Sequence, residues 1–229
     1  MTKRRKWTAI PGLLVLAAGA VILSAHSGAS TSQNSSPVQP IAFPHPVHVQ
    51  KLGMNCLYCH NAANKSMDPG LPAVSTCIGC HNLIGPDLQA SDLGPKRKSA
   101  ELAKLYKFAD VAGVGAGMGP NAKPIPWVRI HKLPEYVHFP HTRHINAGVT
   151  CQTCHGQIQK MDRVYQFASL NMGWCVSCHV NGYSAKEGLQ AAGYEAVPGT
   201  QAAQGAAATA AVPDADRKKA RYDCANCHY

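Results

Sequence analysis

The sequence has no cysteine left over for a disulfide or a catalytic thiol, because all 10 cysteines lie in five copies of the pattern Cys-x-x-Cys-His. Aromatic residues make up only 7% of the 229 residues, and long periodic apolar segments are missing beyond the N-terminus. Such a chain could hardly bury enough side-chain surface to fold by itself. Something other than side chains must therefore fill its core.

The repeated motif predicts covalently attached haem. Its two thiols, three residues apart, can each form a thioether with a vinyl group of one porphyrin, and the next histidine then lies under the iron. The attachment cysteines are Cys56, Cys59, Cys77, Cys80, Cys151, Cys154, Cys175, Cys178, Cys224 and Cys227. The proximal histidines are His60, His81, His155, His179 and His228. A zinc site or a redox dithiol would explain paired cysteines, but not a histidine after every pair. The expected cofactors are five haem c groups.

The remaining histidines supply candidates for the sixth ligand of each iron. Residues 43–60 and 139–155 both begin Phe-Pro-His-x-x-His and end in Cys-x-x-Cys-His, and each is followed by a second haem motif. Each two-haem module thus brings two distal histidines. The expected distal ligands are His45, His48, His141, His144 and, for the fifth haem, His131, with His138 as the alternative to His131. Methionine is the other possible sixth ligand and would raise the reduction potential. The candidates are Met54, Met67, Met118, Met161 and Met172.

This layout resembles the small class III multihaem cytochromes of the c3 and c7 type, in which a Phe-x-His-x-x-His segment supplies distal ligands to two different haems. The resemblance implies that His48 and His144 serve the first haem of their own module, while His45 and His141 reach other haems. With so few residues per porphyrin, the predicted fold is a multihaem cytochrome c with a core of haem. It consists mostly of loops with short α-helices, with little or no sheet, plus one N-terminal transmembrane helix.

The N-terminus has the composition of a membrane anchor. A basic cluster at residues 3–6 precedes an uncharged run at residues 7–25, which approaches the roughly 20 residues needed to span a bilayer. The basic cluster should stay in the cytoplasm, which places the haem domain on the periplasmic side of the cytoplasmic membrane. A signal peptide cleaved after Ala29 is the alternative, and it would export the same domain.

The formal net charge of +10 raises the question of an anionic partner. Four of these charges belong to the N-terminal cluster, and about ten haem propionates would outweigh the rest. We therefore expect the basic residues to pair with propionates, and we expect no nucleic-acid partner.

The segments between the motifs define the expected organisation. Residues 99–112 have the apolar spacing of a short amphipathic helix, and the glycines of residues 113–119 indicate a flexible loop instead of a nucleotide-binding turn. The expected segments are a cytoplasmic n-region 1–6, an anchor 7–25, a tether 26–42, a first module 43–98, a helix and Gly-rich connection 99–130, a second module 131–188, an Ala/Gly-rich linker 189–213 and a fifth-haem segment 214–229.

A longer resemblance covers most of the chain. Residues 125–156, IPWVRIHKLPEYVHFPHTRHINAGVTCQTCHG, and residues 172–179, MGWCVSCH, resemble the membrane-anchored pentahaem cytochrome subunit of alternative complex III. The order of anchor, two two-haem modules and one terminal haem also matches. The resemblance implies an electron-transfer subunit of a quinol-oxidising respiratory complex, with other membrane and iron–sulfur subunits as partners. The electrons would pass to an exported acceptor, which could be a cytochrome c, a copper protein or an oxidase.

On this interpretation the chain carries electrons and has no substrate site of its own, because an iron with both axial positions filled excludes substrate. One alternative is a stand-alone membrane-anchored quinol dehydrogenase of the small tetrahaem type, although five haems in two modules argue against it. The other is a multihaem reductase of nitrite or hydroxylamine. That class would need a Cys-x-x-Cys-Lys motif or an unmatched haem, and the sequence has neither.

Overall fold

The computed structural model describes residues 12, 14–20, 32–88, 97–184 and 219–228. The α-helices outside the N-terminal run are α1 (Cys56–Cys59), α2 (Val74–His81), α3 (Ala100–Ala109), α4 (His141–Asn146), α5 (Cys151–His155), α6 (Met172–Asn181) and α7 (Cys224–Cys227). A π-helix spans Pro46–Lys51 and a 3-10 helix spans Ile158–Lys160. Strands β1 (Asp87–Leu88) and β2 (Arg97–Lys98) pair antiparallel. The predicted architecture of loops, short helices and little sheet is confirmed for these residues.

Helix α3 confirms the amphipathic helix predicted after Ser99. Ser99 caps its N-terminus by accepting a hydrogen bond from the Leu102 amide at 3.3 Å. The helix ends at Ala109 because Asp110 adopts a left-handed conformation with φ 54°. Its buried face joins α2 in a small apolar cluster. The cluster consists of Ile41, Val74, Ile78, Leu105, Ala109 and Ile125. This cluster therefore fixes the helix that carries the second haem motif.

The Gly-rich connection forms a loop that hydrogen bonds hold against the ends of α2 and α3. The Gly115 amide donates to the Asn82 carbonyl at 2.6 Å, and the Lys123 amide donates to the Phe108 carbonyl at 2.7 Å. The loop is therefore anchored at several points, which the prediction of a flexible connection did not include.

Residues 32–42, the described part of the predicted tether, lie along the haem-motif domain. The Asn34 amide donates to the Gln166 carbonyl at 2.8 Å, and Gln39 exchanges two side-chain hydrogen bonds with the backbone of Val128 at 2.9 and 3.0 Å. Ile41 is buried in the apolar cluster. The second half of the predicted tether is thus packed on the domain.

Several predicted segments lie outside the described residues, namely the n-region 1–6 and the linker 189–213. Of the predicted anchor at residues 7–25, only residues 12 and 14–20 are described, and these are helical. Within the ranges that the structure describes, no helix combines the length and the hydropathy required to cross a membrane.

Candidate haem-binding sites

All five haem motifs are helical, three as single turns and two within the longer helices α2 and α6. Each helix places the two cysteines of its motif on the same side. Asparagine caps fix two of these turns. Asn55 Oδ1 accepts from the Leu57 amide at 2.9 Å before α1, and Asn171 Oδ1 accepts from the Trp174 amide at 2.7 Å before α6. All 10 cysteines are free thiols. The i, i+3 spacing therefore presents each pair of thiols to one edge of a porphyrin.

Three of the proximal histidines have their Nδ1 atom against a backbone carbonyl. These contacts join His60 to Gly70 at 3.0 Å, His81 to Ile84 at 3.1 Å and His179 to Arg221 at 2.6 Å. An Nδ1–H that donates to a carbonyl fixes the tautomer in which Nε2 carries the free lone pair. The three rings are thus prepared to bind a metal through Nε2.

The second histidine of each Phe-Pro-His-x-x-His segment faces the second haem motif of its own module. The ring centres of His48 and His81 are 6.1 Å apart, and those of His144 and His179 are also 6.1 Å apart. Metal–imidazole bonds are about 2 Å long, so two imidazoles on opposite sides of one iron have ring centres about 6 Å apart. Both pairs thus have the separation of axial ligands. These separations favour the second haem of the module for His48 and His144, whereas the c3/c7 resemblance implied the first.

The two segments have nearly the same side-chain geometry. Phe43 lies edge-on to the first histidine of its segment, with 5.0 Å between ring centres, and stacks on the second at 4.3 Å. Phe139 repeats these contacts at 4.9 and 4.3 Å. In each segment the Nδ1 of the second histidine lies 3.1 or 3.0 Å from the proline carbonyl. The phenylalanine and proline of the repeat therefore orient its histidines.

The two modules contact one another reciprocally. In helix α4, His141 Nδ1 lies 3.1 Å from the Met67 carbonyl, and the Thr142 hydroxyl donates to the Ser66 carbonyl at 2.8 Å. The π-helix of the first module packs in turn on the 3-10 helix Ile158–Lys160. Each histidine segment thus lies on the loop that follows the first motif of the other module.

The reciprocal packing gathers four imidazoles where the two modules meet, those of His45, His60, His141 and His155. His141 and His155 are nearly parallel, at 18°, with ring centres 6.5 Å apart. Burial, and then the charges of His60 and His48, lower the pKa of His45 to about 4, so His45 lies near the proximal histidine of the first motif. The buried Nδ1 of His45 has no hydrogen-bond partner among the described residues. With haem bound, His45 and His141 would therefore be the distal ligands of the haems held by His60 and His155.

The fifth motif docks on the second module. The His179 carbonyl accepts from the Ala220 amide at 3.3 Å, and the His138 amide donates to the Cys227 carbonyl at 2.8 Å. The Tyr136 ring lies 5.7 Å from that of His228. The segment that contacts the fifth motif is therefore residues 136–138, which include the alternative ligand His138.

His131, the first choice for the fifth iron, has a different neighbour. Its Nε2 lies 3.2 Å from the Nδ1 of His155, and the two ring centres are 4.3 Å apart. Burial lowers the pKa of His131 to about 4, with a smaller contribution from His141. It lowers the pKa of His155 to about 3, with His131 the largest of several charge contributions. This contact places His131 behind a proximal histidine of the second module.

Electrostatic interactions between thiols indicate which motifs are neighbours in space. Cys59 of the first motif interacts electrostatically with Cys80 of the second. The thiols of Cys56 and Cys151 hydrogen bond across the module boundary, which lowers the pKa of Cys56 to about 6 and raises that of Cys151. In the second module, burial raises the pKa of Cys154 to about 12, with contributions from both cysteines of the fourth motif. The fourth motif in turn interacts with the fifth through Cys227.

The motifs thus form one file. In space, the second motif is followed by the first, the third, the fourth and the fifth. Electrostatic interactions between cysteines link each neighbouring pair, and the junction of the two modules lies at the Cys56–Cys151 hydrogen bond.

These residues fit haem. A porphyrin supplies four nitrogens, so the protein has only to provide thiols for attachment and axial imidazoles. All five motifs provide the thiols, and three show facing imidazole pairs. In the part of the chain that the structure describes, no group of three or more His, Cys, Asp or Glu side chains could hold a bare metal ion. Large apolar side chains are exposed beside the motifs, where a macrocycle could cover them. They include Val47, Leu57, Tyr58, Leu83, Ile84 and Val180.

Two residues that support the sites were not identified from the sequence. The Tyr106 hydroxyl donates to the His81 carbonyl at 2.7 Å and so connects α3 to the second motif. Gln166 is fully buried, and its Oε1 accepts from the Lys132 amide at 3.4 Å. Neither residue belongs to a motif, and a tyrosine within a helix or a glutamine within a loop carries no sequence signal of such a role.

The chain is similar to a known multihaem cytochrome. It is 27% identical over 163 residues to the menaquinone reductase, multiheme cytochrome c subunit, of Nitratidesulfovibrio vulgaris (strain Hildenborough), and the alignment covers 62% of this chain and 68% of that protein. No protein-family model matches the chain. The similarity supports the prediction that this chain is a multihaem cytochrome c with c-type haem.

Proposed function

We propose that this chain is an electron-transfer subunit that conducts electrons through five covalently attached haem c groups. It does so within a quinol-oxidising membrane complex of the alternative complex III type. The observation that carries the proposal is that three of the five motifs have a second imidazole facing their proximal histidine, with ring centres 6.1–6.5 Å apart. Two axial histidines per iron keep the coordination unchanged on reduction and exclude substrate, which suits electron transfer.

The proximity of thiols in neighbouring motifs supports a continuous conduit. Cys56 and Cys151 would each carry a thioether to a different porphyrin, so their contact brings two macrocycle edges together. Electrons could then move through the file from the motif at Cys77 to the motif at Cys224, or in the opposite direction. The haems would supply the redox chemistry. The protein would hold the haem edges close together and fill both axial positions of each iron.

Membrane attachment is part of the proposal. The helical residues 14–20 expose Leu14, Val15 and Leu16 at 65%, 71% and 73%, which agrees with a helix that meets lipid. We place the haem domain on the periplasmic side, where it would contact membrane and iron–sulfur partner subunits and an exported acceptor.

The test uses the full chain purified from its own membranes. We expect five haems per chain by haemochrome assay, no high-spin iron by electron paramagnetic resonance (EPR), and co-purification of membrane and iron–sulfur subunits. A quinol analogue should reduce the haems in the complex but not in the separated chain. A high-spin haem would contradict an electron-transfer role, and quinol reduction of the separated chain would favour the stand-alone dehydrogenase.

The similarity to a menaquinone reductase subunit favours a second candidate, a complex that delivers electrons to menaquinone. The haem file would serve equally well, but with the flow reversed. Menaquinone reduction in intact membranes by an exported low-potential donor would support this candidate. Quinol-driven reduction of an exported acceptor would support the first.

A further inference from the structure

His155 differs from the other proximal histidines whose Nδ1 contacts are described. Those of the first, second and fourth motifs face backbone carbonyls. The Nδ1 of His155 instead lies 3.2 Å from Nε2 of His131. An imidazole nitrogen is a more basic acceptor than an amide oxygen, so this contact polarises His155 more strongly.

The backbone on both sides of His131 is fixed. Its own carbonyl accepts from Arg129 Nε at 3.1 Å, and the next amide, that of Lys132, donates to the buried Gln166 at 3.4 Å. The Gln166 backbone is itself hydrogen-bonded to residues 34 and 35. His131 therefore sits on a supported loop with its ring directed at His155.

We propose that His131 is a positioning residue that accepts a hydrogen bond from the Nδ1–H of His155 and thereby lowers the reduction potential of the haem at Cys151 and Cys154. The proposal rests on the proposed haem attachment. When Nε2 of His155 binds iron, its Nδ1 must carry the proton and donate it toward His131. Such a bond makes a metal-ligating histidine more basic, and the added electron density stabilises the ferric state. This role replaces the sequence-based assignment of His131 to the fifth iron.

The test compares His131→Leu and His131→Gln in the full five-haem chain with the neighbouring control Lys132→Arg, at one fixed pH. Haem content, EPR spin state and the reduction potential of each haem are measured. We expect the leucine variant to keep five low-spin haems, while one-fifth of the haem absorbance moves to higher potential. A tenfold change in the ratio of reduced to oxidised haem corresponds to about 59 mV for one electron. The glutamine variant should fall between leucine and wild type, because its amide oxygen still accepts a hydrogen bond.

Two results would overturn the proposal. One is a potential unchanged from the Lys132→Arg control, and the other is conversion of one-fifth of the iron to high spin, which would make His131 a distal ligand after all. If the leucine variant loses haem, the redox titration of the glutamine variant tests the proposal instead. We expect one of its five haems to have a higher reduction potential than in the wild type. A wild-type chain without haem at Cys151 would instead refute the proposed function, before any variant is compared.

Discussion

Replacing His48 by alanine is expected to open the iron of the second haem, at Cys77 and Cys80, and to leave the first haem closed. The ring centres of His48 and His81 are 6.1 Å apart, close to the about 6 Å that two imidazoles on one iron require. Loss of this ring removes one of two axial ligands from one haem in five. We therefore expect one-fifth of the total iron to become high-spin.

EPR and resonance Raman spectra of the oxidised protein measure this fraction, and carbon monoxide binding to the reduced protein counts the open irons. His144→Ala is the matched control, because its ring faces His179 at the same 6.1 Å in the second module. It should open one haem to the same extent.

A combined variant identifies the haem to which His48 is a ligand. His48→Ala is combined with Cys77→Ala and Cys80→Ala, which delete the second haem. If His48 faces only that haem, the four remaining haems should all stay low-spin. A persistent high-spin haem in the combined variant would show that His48 caps the first haem, as the c3/c7 resemblance implied, and would refute the reasoning from ring separations.

The other predictions concern stability. Tyr106→Phe removes the hydroxyl that holds the last carbonyl of α2, and should lower the free energy of unfolding by about 1 kcal/mol, measured by denaturant titration; an unchanged midpoint would contradict it. Gly156→Ala should cost about 1–3 kcal/mol in backbone strain alone, because φ is 69°, and its Cβ would also lie 2.7 Å from the Phe167 ring. The control Gly173→Ala meets only ordinary contacts. It should be neutral or stabilise by up to about 1 kcal/mol in the same denaturant titration, because alanine favours a helix more than glycine does. Hydrogen bonds from Lys104 and from the Ala42 amide lower the pKa of Glu101. The ionised Glu101 therefore stabilises the fold at a pH above the usual carboxyl pKa, and this effect is lost as the pH falls through the lowered pKa. Glu101→Gln should flatten this part of the pH–stability curve, and identical curves for the two proteins would contradict the prediction.

The sequence was sufficient for the chemistry of the sites and insufficient for their pairing. Covalent attachment requires Cys-x-x-Cys-His in consecutive order, so five adjacent residues are enough to identify the motif. Which distal histidine meets which iron depends on contacts between segments distant in sequence, such as those of α4 with the Met67 and Ser66 carbonyls, 74 and 76 residues away. His131 shows the same limit, since a histidine in a loop has no local sign of whether it faces an iron or another ring.

The repeat also explains why the haems of the first and third motifs should differ in reduction potential. His131 precedes the first distal histidine of its segment by ten residues, and the corresponding position in the first module is Ser35. Ser35 has no imidazole to offer, and the proximal His60 uses the Gly70 carbonyl instead. The duplicated geometry of Phe43 and Phe139 thus holds two similar sites whose proximal ligands have acceptors of different basicity. The haem of the third motif should therefore have a lower potential than the haem of the first, across the Cys56–Cys151 contact. Resolved potentials in single-haem deletion variants would measure the order, and equal potentials would show that the acceptor behind the proximal histidine does not set it.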